Sequence, residues 1–97
     1  MKENSSLFQL QQYIKQFDHN IENKEKYFMK LIEEVGELSE VLRKDVRMNQ
    51  RGHIKGTIEE ELSDVLYYVI TLANVYDIDL EESFKLKDEL NKVKWNR

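Results

Sequence analysis

The sequence predicts an all-α fold for this chain of 97 residues. Proline is absent and only three glycines occur, so few positions interrupt regular helices. Apolar residues recur every three or four positions, and strand-like alternation does not persist over any useful length. Residues 1–97 are therefore expected to form a single four-helix domain, with the second and third helices at its centre.

The first two predicted helices occupy the N-terminal half. The first helix has about three turns, and Ser5 or Ser6 is its candidate N-cap. Its apolar positions are Leu7, Leu10, Ile14 and Phe17. After a polar turn over residues 18–23, the second helix is predicted over residues 24–46. Its apolar stripe consists of Phe28, Leu31, Ile32, Val35, Leu38, Leu42 and Val46.

A loop and two further helices complete the predicted domain. Residues 48–56 contain two glycines and are predicted to form the loop. The third helix, residues 57–76, begins with capping-box spacing between Thr57 and Glu60. Most of its circumference is apolar, which is typical of a buried helix. The fourth helix is predicted over residues 79–94.

Composition excludes several classes of protein. The net charge of −4 argues against a basic nucleic-acid-binding face, although a metal could still bridge the chain to a polyanionic ligand. The absence of cysteine rules out disulfides and thiolate metal sites. No apolar run reaches the roughly 18 residues of a membrane span, and the N-terminus lacks the apolar core of a signal peptide. We expect a cytoplasmic protein that binds neither nucleic acid nor membranes.

Two acidic motifs, one on each central helix, are the main functional signal. Glu34 and Glu37 are three residues apart in the second helix, and Glu61 and Asp64 have the same spacing in the third. Residues at this spacing share one helix face. Four carboxylates that converge between two helices repel one another unless a cation lies among them. A hard, oxygen-seeking ion such as Mg²⁺ is the natural candidate.

These acids have three other interpretations. They could be solvated faces of ordinary helices, since charged residues make up 35% of the chain. Lys30 and Lys55 could neutralise part of the charge, but two cations do not balance four acids. A di-iron carboxylate bundle is disfavoured because neither His19 nor His53 follows a glutamate by three residues.

Two stretches of the sequence resemble the MazG-like nucleoside triphosphate pyrophosphohydrolases. Residues 31–40 and 60–74 carry the E-E-x-x-E and E-x-x-D motifs of that all-α family, and residues 77–82 are also similar to it. The resemblance covers roughly residues 28–97. It implies a domain that assembles into an intersubunit helical bundle.

The resemblance also implies an activity and a set of site residues. The expected reaction is Mg²⁺-dependent cleavage of a nucleoside triphosphate between its α- and β-phosphates, with Mn²⁺ as a substitute metal. The products are a nucleoside monophosphate and pyrophosphate, as in nucleotide-pool housekeeping. Glu34, Glu37, Glu61 and Asp64 match the metal-ligand positions, and Glu33 matches a supporting or general-base position.

Further residues are candidates for substrate binding. Lys94, Arg97 and Lys30 could hold phosphate, and Trp95 could stack on a base. The C-terminal residues could equally form a frayed, solvated end with Trp95 capping the core. Asn74 could hydrogen-bond a base or cap a helix C-terminus.

The loop before the third helix carries three more basic or titratable side chains, Arg51, His53 and Lys55. They could close over phosphates, or they could belong to a mobile polar loop. The sequence favours the mobile polar loop.

The third helix also predicts self-association. Its apolar residues cover more than one face, and three other helices cannot cover them all while leaving an acidic pocket open. We expect a homodimer or a homotetramer, with the metal pocket close to the subunit boundary.

Two alternative functions remain at this point. One is a catalytically silent helical module that binds a regulatory partner through the third helix. The other is a related pyrophosphohydrolase that acts on phosphoribosyl-linked metabolites. The sequence does not rank the nucleotides as substrates.

Overall fold

The computed structural model describes Met1 and residues 3–97, and these residues form helices without any strand. The helices are α1 (Leu7–Lys15), α2 (Lys24–Lys44), α3 (Met48–Arg51), α4 (Ile58–Val75) and α5 (Leu80–Trp95). A 3-10 turn at Ile21–Asn23 leads into α2. The all-α prediction is therefore confirmed. None of the described helices is long and apolar enough to span a membrane.

Side-chain caps set the start of three helices. Ser6, and not Ser5, caps α1, because its hydroxyl accepts a hydrogen bond from the Gln9 backbone N–H and the Gln9 side chain accepts one from the Ser6 N–H. Thr57 caps α4 through the Glu60 N–H at 3.2 Å. Asp79 caps α5 in the same way, through the Glu82 N–H at 3.1 Å. Each of these caps satisfies a backbone donor that has no partner within its helix.

Three predicted boundaries are wrong. Phe17 lies beyond the end of α1 and is 62% exposed. The second helix stops at Lys44, because Asp45 adopts a left-handed conformation with φ of 52°. The predicted loop over residues 48–56 begins with the short helix α3, so the described chain has five helices and not four. This helix ends at Gly52, whose φ of 75° suits glycine.

The helical pair α2 and α4 forms the centre of the domain, with α1 packed on α4 and α5 contacting α1. The most buried apolar side chains are Ile14, Tyr27, Ile58, Ile70, Ala73 and Val75.

A buried glutamine joins three of these helices. Gln11 is 2% exposed, and its amide nitrogen donates to Asn74 Oδ1 at 3.1 Å and to the Ile78 carbonyl at 2.8 Å. Its amide oxygen accepts from the Leu80 N–H at 2.9 Å. The link fixes α1 against the end of α4 and the start of α5.

The inward face of α2 differs from the predicted stripe. Its more buried positions are Tyr27, Leu31, Glu34, Leu38 and Val41. Phe28, Ile32, Val35 and Leu42 are about half exposed, and so are Leu62 and Leu66 on α4. The stripe is wider than the face that α4 covers, and α4 itself is not buried on every side within one chain.

Candidate metal centre

Three carboxylates from the two central helices meet on one side of the helical pair. Glu34 projects from the middle of α2, and Glu61 and Asp64 project from the first two turns of α4. One oxygen from each carboxylate lies within 4.8 Å of the other two. This convergence requires the packing of α2 on α4, because Glu34 is distant in sequence from the other two acids.

Burial of this acidic cluster costs free energy in the absence of a cation. Glu61 is 8% exposed, and the Oε2 atoms of Glu34 and Glu61 are both buried without a hydrogen-bond partner among the described residues. A buried carboxylate oxygen without a partner loses its solvation and gains nothing in return. Such oxygens are suited to a cation.

The electrostatics of the cluster agree with its burial. Desolvation, a hydrogen bond with Glu37 and neighbouring negative charges raise the pKa of Glu34 to about 7. Desolvation followed by the charges of other carboxylates also raises the pKa of Glu61 and of Asp64. Each of these groups resists ionisation because ionised neighbours already occupy the same low-dielectric space.

The other two acids of the first motif lie outside this group of three. Glu37 is more exposed, but its carboxyl lies close enough to Glu34 and Glu61 to raise the pKa of both, and it therefore borders the cluster. Glu33 points away and pairs with Lys30, whose Nζ lies 3.3 Å from Glu33 Oε2. The structure thus groups Glu34, Glu61 and Asp64, with Glu37 beside them.

Salt bridges do not neutralise the cluster. Lys30 pairs with Glu33 and not with Glu34. The positive charge of Lys55 lowers the pKa of Asp64, but burial and negative neighbours outweigh it and the pKa remains raised. Among the described residues, the three clustered carboxylates form no ion pair.

Two tyrosines, one on each central helix, hydrogen-bond with Asp18 in the turn before α2. Tyr27 donates a hydrogen bond to one carboxylate oxygen of Asp18 at 2.9 Å, and Tyr67 donates to the other oxygen. Burial raises the pKa of the Tyr68 phenol above its ordinary value. The charge of Lys30 opposes this shift, and the charges of Asp18 and of the nearby acids of the cluster add to it. The sequence places Asp18 in a polar turn, and no local pattern signals this long-range link.

Asn74 lies away from the cluster. It is 5% exposed, and its amide pairs with the side chain and backbone of Gln11. In this structure Asn74 therefore links α4 to α1 and does not cap the end of α4. It also lies about 15 Å along the helix from Asp64.

The candidate basic residues at the C-terminus both lie near the Trp95 ring. Lys94 and Arg97 approach the face of the Trp95 ring, at 5.9 Å and 5.0 Å from its centroid. Arg97 also pairs with Asp88 on α5. Trp95 is 55% exposed, so it does not cap the core of this chain. A role in substrate binding stays a prediction for these residues.

Comparisons with known proteins give a consistent result. The family model described as the MazG nucleotide pyrophosphohydrolase domain matches residues 22–94. No curated protein matches the chain. One crystal structure of iMazG from Vibrio DAT 722 is 50% identical, has a TM-score of 0.83, and aligns over 91% of this chain and 99% of its own. A second iMazG structure from the same source is also 50% identical, with a TM-score of 0.81 and coverage of 96% and 100%.

Proposed function

The chain belongs to the MazG nucleotide pyrophosphohydrolase family, and on that premise we propose that it hydrolyses nucleoside triphosphates between the α- and β-phosphates with Mg²⁺ as cofactor. The products would be a nucleoside monophosphate and pyrophosphate, and the reaction would remove nucleotides from the cellular pool. One observation carries the proposal: three carboxylates within 4.8 Å of one another, two of them with a buried oxygen that lacks a partner.

The donor set suits a hard divalent cation. Glu34, Glu61 and Asp64 would hold Mg²⁺, or Mn²⁺ in its place, with Glu37 as the adjacent fourth carboxylate. When bound, such an ion neutralises phosphate charge and lowers the pKa of a water molecule. Glu33 would support the first motif from outside the cluster, where its carboxylate pairs with Lys30.

The chain's own residues would prepare the site for a polyanion. Glu61 is buried, so bulk water has little access to its side of the centre, and electrostatic interactions are stronger there. A carboxylate that is not fully used in holding the metal can accept the proton of the attacking water. Glu37 is suited to this role because it borders the cluster while remaining exposed.

We also propose that the chain self-associates as a homodimer or homotetramer. Its accessible surface is 7497 Å², whereas a compact monomer of 11.7 kDa exposes about 5,900 Å². The radius of gyration is 15.5 Å, against about 12.5 Å for a compact domain of this length. The excess surface is roughly 1,600 Å² per chain, or about 3,200 Å² over two copies, which is in the range that obligate homodimer interfaces bury.

The exposed apolar side chains of α2 identify the surface that a second copy would cover. Ile32 and Val35 are about half exposed, and they lie about 100–160° around α2 from Glu34. A partner on this surface would pack against the same two helices that carry the carboxylates. The metal centre would then lie within about one helix diameter, 10 Å, of the subunit boundary.

A substrate panel tests the proposed reaction. The purified protein is incubated with Mg²⁺ and each canonical nucleoside triphosphate, and pyrophosphate and orthophosphate are measured separately. We expect pyrophosphate and a nucleoside monophosphate in equal amounts, and no reaction in EDTA. Orthophosphate as the primary product would refute the cleavage position.

Negative results in the panel distinguish the two alternative functions. No turnover with any triphosphate, together with turnover of a phosphoribosyl-linked pyrophosphate, would favour the related metabolic enzyme. No turnover with either class would favour a catalytically silent helical module.

A further inference from the structure

The segment between α3 and α4 lies against the helix face that carries Asp64. The backbone N–H of Gly56 donates to Glu60 Oε1 at 2.8 Å. Glu60 and Asp64 are four residues apart in α4, so their side chains occupy the same face, one turn apart. Residues 52–56, the basic loop, therefore run along the rim of the metal centre.

Hydrogen bonds hold the C-terminal end of the basic loop in place. The backbone N–H and the hydroxyl of Thr57 both donate to the Ile54 carbonyl, and Thr57 is fully buried. The N–H of the next residue, Ile58, donates to the Val46 carbonyl at 2.9 Å. The loop is thus tied to both α4 and the segment that follows α2, an arrangement that limits its freedom.

One cation lies within the basic loop and a second lies directly before it. Lys55 is exposed within the loop, and Arg51 is exposed at the end of α3 just before it. The Arg51 Nη1 atom lies 3.5 Å from the position that a Cβ on Gly56 would take, so the guanidinium packs beside the loop backbone. Neither cation forms an ion pair with a described residue.

The charge of Lys55 reaches the acidic cluster. Its positive charge acts on Asp64, as do the negative charges of Glu60 and Glu37. An unpaired ammonium group near carboxylates that it does not bridge has capacity left for another anion.

We propose that Lys55 and Arg51 bind the phosphate chain of the substrate at the rim of the metal centre. This inference rests on the proposed function, because it takes a nucleoside triphosphate as the ligand. One divalent cation cannot balance all the charge of a triphosphate, so further cations are needed. Arg51 offers a planar pair of donors to phosphate oxygens, and Lys55 offers a compact point charge. Because the loop is already tethered, binding requires little additional ordering.

Lysine variants with a matched control test the inference. Lys55→Met removes the charge and keeps most of the aliphatic stem, and Lys55→Arg restores the charge. Lys87→Met is the control, since Lys87 is an exposed lysine on α5 without an ion pair among the described residues. Two quantities are measured with Mg²⁺ present: the Kd for inorganic tripolyphosphate by calorimetry, and kcat and KM for the best nucleotide. Circular dichroism verifies that each variant is folded.

We expect Lys55→Met to weaken tripolyphosphate binding and raise KM, each by about tenfold or more, as for the loss of a hydrogen bond between charged groups. Lys55→Arg should recover most of the loss, and Lys87→Met should match the wild type. Arg51→Gln should weaken tripolyphosphate binding in the same direction.

The failures of the two proposals are distinguishable. If the wild type hydrolyses a nucleotide and folded Lys55→Met and Arg51→Gln match it in KM and tripolyphosphate affinity, the inference is overturned and the proposed function stands. If the wild type releases pyrophosphate from no nucleotide, the proposed function fails, and the phosphate-binding role fails with it.

Discussion

Replacing Glu34 with glutamine should stabilise the protein without metal and destabilise it relative to the wild type with metal. The carboxyl of Glu34 is half-buried, has an Oε2 atom without a partner, and lies among three other acids. Glutamine keeps the shape of the side chain and removes the charge. The variant therefore separates the cost of the clustered charge from the packing of α2 on α4.

The magnitude follows from the pKa of Glu34, which is raised from 4.5 to about 7 by desolvation and then by the neighbouring acids. A tenfold change in an ionisation equilibrium corresponds to about 1.4 kcal/mol, so keeping this group ionised at pH 8 costs at most roughly 3 kcal/mol. Solvent screening of the half-buried group reduces that figure to about 1–2 kcal/mol. In a domain of this size, Glu34→Gln should then raise Tm by about 5–10 °C at pH 8 without metal.

The sign of the pH dependence follows from proton binding. Between pH 4.5 and about 7 the folded state keeps a proton on Glu34 that the unfolded state has lost. Wild-type stability without metal should therefore fall as the pH rises through this window, and the raised pKa values of Glu61 and Asp64 add to the fall. The variant should show a shallower fall. Below about pH 4.5, where Glu34 is protonated in both states, its advantage should disappear.

Metal should reverse the order of stability. Mg²⁺ at a hundredfold excess over its Kd stabilises the native wild type by about 2.7 kcal/mol, and Glu34→Gln should lose most of this gain. The measurement is thermal unfolding followed by circular dichroism at one protein concentration. It gives the Tm of the wild type and of the variant at pH 5 and pH 8, with EDTA or with Mg²⁺. Glu40→Gln is the control, because Glu40 is on the same helix, is exposed and pairs with Arg43. A Glu34→Gln variant that is less stable than the wild type in EDTA at pH 8, or that gains as much from Mg²⁺, would refute the reasoning.

Three further predictions address catalysis, assembly and packing. Asp64→Asn and Glu37→Gln should each lose orders of magnitude in turnover while keeping their helicity by circular dichroism, since each removes a charge that holds metal and not a packing contact. Wild-type turnover in both would contradict their assignment. Ile32→Asp should dissociate the oligomer, as measured by light scattering, because it places a charge on the exposed apolar side of α2. A wild-type protein that is monomeric at micromolar concentration would contradict the assembly. Gln11→Ala should destabilise the fold by about 2–3 kcal/mol in chemical denaturation, because it leaves buried polar groups on Asn74 and Leu80 without partners. An unchanged denaturation midpoint would show that the link is dispensable.

Local rules explain where the sequence predicts the structure well. The caps at Ser6, Thr57 and Asp79 depend on side chains within three residues of the backbone groups they satisfy, so their spacing is visible in the sequence. The same holds for the pairing of Glu61 with Asp64 on one face of α4. The break after Lys44 is not predicted, because a left-handed Asp45 has only a weak sequence signal compared with glycine.

Long-range contacts explain where the sequence is insufficient. The inward face of α2 can be assigned only once α4 is known to cover Tyr27, Leu31 and Leu38. The same packing leaves Phe28 and Ile32 exposed. When an apolar stripe is wider than one contact face, the sequence does not identify which of its residues the partner helix will bury.

The sequence by itself determined the four longer helices, the two acidic motifs and their family resemblance, because these depend on periodicity and spacing within one helix. Only the tertiary structure decided that Glu34 meets Glu61 and Asp64 while Glu33 turns to Lys30. Only the tertiary structure showed that Asn74 hydrogen-bonds with Gln11. It also showed that Gly56, next to Lys55, donates a backbone hydrogen bond to Glu60. The reason is physical: spacing fixes the direction of a side chain around its own helix, whereas its partners and its burial depend on which other helix lies there.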